Sequence, residues 1–200
     1  MPSLNTVTGA KHARIYSVGT YRPRRVVTNA EVCELIDSTD EWIRERSGIT
    51  ERRWAGEGES VVDMAAEAAK IAIERAGIEP TDIGLIMLGT VSHPYAFPSA
   101  SVEVGELIGA RGAPALDFAA ACAGFCYGVG MAADIIRGGS AKYILVIGVE
   151  RLTDVVNKHD RGTSFIFADG AGAAVIGPSD TPESARSCGV ATGARRTRSP

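Results

Sequence analysis

Two uncharged, strand-length apolar runs, residues 85–91 and 143–149, constrain this chain more than any other feature. A strand that is apolar along its length must be covered on both faces, as in a sheet held between helices. Each run is also far too short to cross a bilayer as a helix. Around them the periodicity switches to helical. Residues 60–76 place Val61, Met64, Ala65, Ala68, Ile71 and Ala72 on one helical face, and Gly77 closes the helix. Helices alternating with apolar strands imply a layered α/β domain with a mainly parallel sheet.

The remaining elements follow from local signals. Residues 13–20 read as a first strand. Thr28 opens a helix whose apolar stripe is Val32, Leu35 and Ile36. Ser38-Thr39-Asp40-Glu41 opens a second short helix through Trp42 and Ile43, which Gly48 ends. Residues 49–54 alternate as a strand. A Pro-bounded loop at 93–98 leads to a helix through Val102, Leu107 and Ile108, then a strand at 114–118. Residues 122–137 form a Gly- and Ala-rich helix whose small side chains permit close packing. Two further strands are expected at 165–167 and 171–176, with Asp169 as a turn residue between them. Residues 1–12 read as a flexible leader and 13–178 as the folded unit. Residues 179–200 are atypical. From Ser184 onward there is no apolar periodicity, and Arg186, Arg195, Arg196 and Arg198 have no acidic residue among them, as in a disordered tail.

Charge bounds the partners. Charged residues are 22% of the chain and the formal net charge is -3, so neither nucleic acid nor an acidic membrane surface is an expected partner. No secretory signal or membrane span is visible, and a cytoplasmic location is expected. The cysteines stand at 33, 122, 126 and 188. Cys122 and Cys126 lack the His or Cys neighbours of a zinc site, so no metal is expected. A reducing compartment argues against a structural disulfide. Each cysteine is therefore core filler or chemistry, and Cys33 and Cys126 read as core filler.

Cys122 is different because of its context. Leu116 to Phe125 is a strand, a turn of small residues, then a helix. A thiol at that turn meets the unpaired N–H groups and dipole of a helix start, which favour the thiolate. The same donors can receive an oxyanion developing on a thioester carbonyl. This is the logic of a nucleophile elbow with Cys in place of Ser. A buried structural cysteine is the alternative reading of the spacing.

Five ordered blocks carry a family resemblance. They are Asp37-Ser-Thr-Asp-Glu-Trp-Ile43 with Arg46-Ser-Gly-Ile-Thr-Glu-Arg-Arg53, then Ala96-Phe-Pro-Ser-Ala100, Ala119-Ala-Ala-Cys122-Ala-Gly-Phe125, Asp160-Arg-Gly-Thr163 and Phe167-Ala-Asp-Gly-Ala-Gly-Ala173. Across roughly residues 13–177 the chain resembles β-ketoacyl-acyl-carrier-protein synthase III. The resemblance implies a thiolase-like layered fold of two βαβαβαββ halves, of which one is present and the second absent here, and a homodimer. It implies a decarboxylative Claisen condensation of an acyl-CoA primer with malonyl-acyl carrier protein through an acyl group on Cys122, initiating fatty-acid synthesis without a cofactor. By position, Trp42 and Arg161 resemble the pair that holds the CoA adenine, Arg46 a contact on the CoA phosphate side, and Phe97 a residue lining the acyl pocket across the dimer interface. Trp42 as a helix anchor and Arg161 as a surface charge are the plain alternatives.

The family's mechanism also calls on a His and an Asn from the second half. His12, His93 and His159 stand in neither context. A shifted frame near residue 185 can be written to yield a Gly-Ser-Asp-Gly segment of the family's kind, so the tail is expected to be disordered or frame-shifted. A half of this fold alone would expose a large apolar surface, and the isolated chain is expected to be inactive or to require pairing. A non-catalytic half-length chain that pairs with a full-length synthase, or a relative priming a polyketide or secondary pathway, are the competing expectations.

Overall fold

The computed structural model describes residues 8–182. Its principal strands are β1 (His12–Tyr21), β4 (Ile83–Gly89), β5 (Ala115–Phe118), β6 (Tyr143–Arg151) and β7 (Asp169–Ser179). They form one five-stranded sheet in the order β1-β7-β6-β4-β5. The helices α3 (Val61–Ala76), α4 (Ala100–Ile108) and α5 (Gly124–Arg137) connect them. The chain thus runs βαβαβαββ, as expected. Between β1 and α3 a small outlying unit is inserted: α1 (Asn29–Cys33), α2 (Asp40–Ser47) and the antiparallel pair of β2 (Arg25–Thr28) with β3 (Glu51–Trp54) that brackets them.

The sheet is mixed, not mainly parallel. β4 is parallel to β5 and to β6, whereas β7 runs antiparallel to both β1 and β6. The reason is connectivity: between β6 and β7 there is only the 3₁₀ turn Leu152–Asp154 and further turns, with no α-helical crossover, so the chain returns and pairs in the opposite sense. The expected strand at 165–167 does not form. Phe165 and Ile166 lie in a turn and Phe167 in irregular chain, and Asp169 is not in a turn but opens β7.

One face of the sheet is covered by α3 and α4, through Ile86, Leu88, Leu145, Ile147 and Val175. The other is covered by α5, through Met87, Ile144, Val146 and Ile176. Adjacent residues of one apolar run therefore serve opposite faces. Each fully buried aliphatic side chain contributes about 1.5–3 kcal/mol relative to exposure. The helix expected through Val102, Leu107 and Ile108 is α4, whose core-facing residues are Ala100, Val104 and Ile108, while Val102 and Leu107 point to solvent. Leu35 and Ile36 likewise lie beyond α1, which ends at Cys33. The leader is tied down before residue 13, because the Ala10 N–H donates to the Ile136 carbonyl and His12 already belongs to β1. Residues 1–7 and the tail from 183 lie outside the described residues.

The best-formed helix shows how sequence sets position. Ser60 and Asp63 form a capping box at the start of α3, and Gly77 closes it at φ +66°. Its alanine face lets β1 approach closely. A Cβ at Gly19 would fall 2.1 Å from the Ala68 carbonyl oxygen, inside any permitted contact. Gly19→Ala is therefore expected to cost about 1–3 kcal/mol by overpacking, read as a lower urea midpoint with unchanged slope. In α5 the small residue is Gly128, whose place against Val146 and Phe118 leaves no room for a side chain.

Candidate active site

Three parallel strands, β5, β4 and β6, bring their C-terminal ends to one edge of the sheet. In open α/β sheets ligands bind beyond the carboxyl ends of the strands. At that edge lie the 90–99 loop after β4, the Cys122 turn after β5, and the 152–168 segment after β6.

The Cys122 turn is tighter than a plain helix start. Ala121–Ala123 forms a short 3₁₀ turn before α5, so Cys122 precedes the α-helix and does not belong to it. Ala121 has φ +44°, the one positive value outside glycine among the described residues. A side chain in this left-handed region is held there by its surroundings at a cost of about 1–3 kcal/mol. The bend turns Cys122 outward, where its thiol is exposed. Just upstream, the Asp117 carboxylate accepts from the N–H groups of Ala100 and Ser101 at 2.7 and 2.8 Å, fastening the start of α4 to β5.

Neither remaining described cysteine is fully buried core. Cys126 is exposed on α5, and Cys33 is half-buried against the cluster of Val27, Val32, Ile43 and Phe165. Cys126 lies on the exposed surface of α5, with Phe125, Tyr127 and Met131 also exposed. Helical spacing alone did not reveal which face the sheet would take.

Trp42, Arg46 and Arg161 come together. The Arg161 guanidinium carbon lies 4.7 Å from the Trp42 ring centroid, and that of Arg46 lies 5.0 Å from it. Phe165 meets Trp42 edge-on at 5.2 Å. α2 is fixed through a buried relay. Arg52 donates to Asn29 Oδ1 at 2.7 Å and to the Phe165 carbonyl at 3.2 Å, and Asn29 donates to Asp40 at 2.7 Å and to the Ile49 carbonyl at 2.8 Å. The Asn29 amide and then Arg44 hold the Asp40 carboxyl below the usual aspartate value. Arg161 is presented by a second device. Asp160 accepts from the Thr163 hydroxyl and the Gly162 N–H, which hold its carboxyl below the usual value and fold Asp-Arg-Gly-Thr into a turn.

Phe97 is apart from this cluster. It is 89% exposed in the 90–99 loop. The loop's start is anchored by Glu150, which accepts from the Val91 N–H at 3.0 Å and from the hydroxyls of Thr90 and Ser92. Glu150, Asp117, Arg52 and Asn29 are the organising polar residues that sequence reasoning missed. Only Arg52 fell in a recognised block. Among the described residues no group of three His, Cys, Asp or Glu is arranged to hold a metal, and no helix is long and apolar enough to cross a membrane.

A family model described as 3-oxoacyl-[acyl-carrier-protein] synthase III matches residues 116–195, a stretch that begins in β5 and contains Cys122 and Arg161. The β-ketoacyl-[acyl-carrier-protein] synthase III of Streptomyces glaucescens is 48% identical over 182 residues. Over nine-tenths of its length the chain is similar to the synthase III family. That alignment takes in 91% of the chain and 55% of the relative. Among solved structures, the priming β-ketosynthase of a polyketide biosynthetic pathway superposes with TM-score 0.87 at 45% identity, covering 90% of this chain and 54% of that one. The 3-oxoacyl-[acyl-carrier-protein] synthase III of Aquifex aeolicus superposes with TM-score 0.82 at 41% identity, covering 84% and 55%. The fold is that of the thiolase-type condensing enzymes. The chain spans about half the length of the curated relatives it matches.

Proposed function

We propose that this chain supplies the acyl-accepting half of a cytoplasmic condensing enzyme of the synthase III type. The observation that carries the reading is the strained Ala121 turn, which presents an exposed thiol at the sheet edge where ligands bind. The Cys122 thiolate attacks the carbonyl carbon of an acyl-CoA. The carbon–sulfur bond to CoA breaks, CoA leaves as its thiol, and the acyl group remains on Cys122. Malonyl-acyl carrier protein then loses carbon dioxide. The resulting carbanion attacks the acyl carbonyl and expels the Cys122 thiolate, leaving a 3-oxoacyl carrier protein. The groups that steady this carbanion are not among His12, His93 and His159, so the second step draws on residues beyond these. The direct test is transfer of radiolabel from acetyl-CoA to Cys122.

Trp42 and Arg161 are assigned to the CoA adenine. At their present separation they stack on each other. A planar base between them needs about 7 Å, twice the optimal contact distance, so the exposed Arg161 turn must swing outward on binding. Trp42→Ala is expected to weaken CoA binding about tenfold, measured by equilibrium dialysis with labelled CoA. Unchanged affinity would remove Trp42 from the site. Arg46 is assigned to the CoA phosphates, and Phe97 to the acyl pocket of a partner subunit in a homodimer. Pairing with a second or full-length synthase chain has its own support in the exposed apolar residues Leu116, Phe125, Tyr127 and Met131 on β5 and α5. Such a pair would be detected as a stable complex on co-expression.

A further inference from the structure

A cavity of about 420 Å³ opens between the first turn of α3, the 90–99 loop and α4, and none of the residues assigned above to acyl or CoA lines it. This is the size of a small-molecule site. Val61, Val62, Pro94 and Leu107 give it apolar walls. His93 closes one side, with its side chain 6% exposed and its ring edge-on to Tyr95 at 5.8 Å. The His93 Nε2 is buried and has no hydrogen-bond partner. Glu103 is the nearest ionic group, at 3.9 Å, beyond hydrogen-bond reach. A buried imidazole nitrogen left without a partner is unfavourable, and a ligand atom placed there recovers the lost bond.

The surrounding charge selects the ligand. Asp63 is committed to the capping box with Ser60, and Glu106 to an ion pair with Arg111. Glu103 is left facing His93. The helix start at α3 does not invite an anion, because the Ser60 side chain already takes the Asp63 N–H and a carboxylate already stands at that turn. We propose that this cavity binds a small amphipathic amine, its ammonium group bridging the Glu103 carboxylate and His93 Nε2 and its apolar body lying on Val61, Val62 and Leu107. The His93 Nε2 lone pair accepts one ammonium proton in a hydrogen bond, and the Glu103 carboxylate accepts another. His93 and Tyr95 also border a cavity reaching Asp117, Phe118 and Ala119, so an occupant would stand behind the wall of the Cys122 site.

The test is independent of acyl transfer. The 200-residue chain is titrated with 2-phenylethylamine, and with 2-phenylethanol and phenylacetate as probes of the same body, by ligand-observed NMR. Binding of the amine in the millimolar range is expected, with the alcohol weaker and the carboxylate undetectable. Glu103→Gln, a half-exposed and isosteric change, should weaken amine binding about tenfold while circular dichroism stays unchanged. Phenylacetate binding as well as the amine, a Glu103→Gln variant with wild-type affinity, or a folded chain that ignores the amine would each overturn the proposal.

Discussion

Cys122→Ser is expected to abolish transfer of the acetyl group from acetyl-CoA to the chain, a loss of about 10³-fold or more in the acylation rate. The substitution changes one atom and should leave the fold alone, since the side chain is exposed in its turn. The loss is chemical. A thiol is a far better nucleophile than a serine hydroxyl, which needs a general base. No histidine adjoins Cys122 in this chain to serve as one: His12 opens β1, His93 is buried beside Glu103, and His159 bonds the Leu35 carbonyl. The readout is radiolabel or added mass on the peptide containing residue 122. Cys126→Ser is the matched control, because Cys126 is also exposed and lies one turn further on. Label that survives Cys122→Ser and disappears in Cys126→Ser would assign the chemistry to the wrong cysteine. A folded chain that takes no label would mean the turn works only with residues outside these 200.

The elbow was legible in the sequence as a type of place but not as a geometry. Small residues at 119–124 announced a sharp turn after a strand. That Ala121 would take φ +44°, and that Cys122 would fall in a 3₁₀ turn ahead of the helix, came from the sheet and α5 fixing both ends of the segment. Local patterns gave the helix ends well. Thr39 and Gly48 bound α2, and Ser60 and Gly77 bound α3, because capping is a contact between near neighbours in the chain. The direction of β7 was less accessible, since it depends on the absence of an α-helical crossover after β6 and not on any residue's preference. The polar anchors were least accessible. Arg52, Asn29, Glu150 and Asp117 bind partners 11 to 113 positions away, and no periodicity marks such pairs.

Asp169 illustrates the same gap with the larger energetic consequence. In sequence it reads as a turn residue in Ala-Asp-Gly. In the fold its carboxylate is buried and accepts from the Ala55 N–H at 2.7 Å, the Thr153 N–H at 3.0 Å and the Thr153 hydroxyl at 2.6 Å. It thereby joins the end of β3, the turn after β6 and the start of β7. Asp169→Ala would leave these three donors in a buried space without an acceptor. Each orphaned group costs about 1–3 kcal/mol, and water entering the small gap recovers only part of this, so a loss of about 3 kcal/mol or more is expected. Asp169→Asn keeps one acceptor oxygen and should lose less, whereas a residue acting only as a turn former would tolerate Asn almost freely. The measurement is the urea midpoint of wild type and both variants. The Arg161 turn hangs between Thr153 and Asp169, so a still-folded Asp169→Asn chain should also bind CoA more weakly. An Asp169→Ala chain as stable as wild type would show that the three contacts are incidental, and that the segment carrying Arg161 is held in place by packing alone.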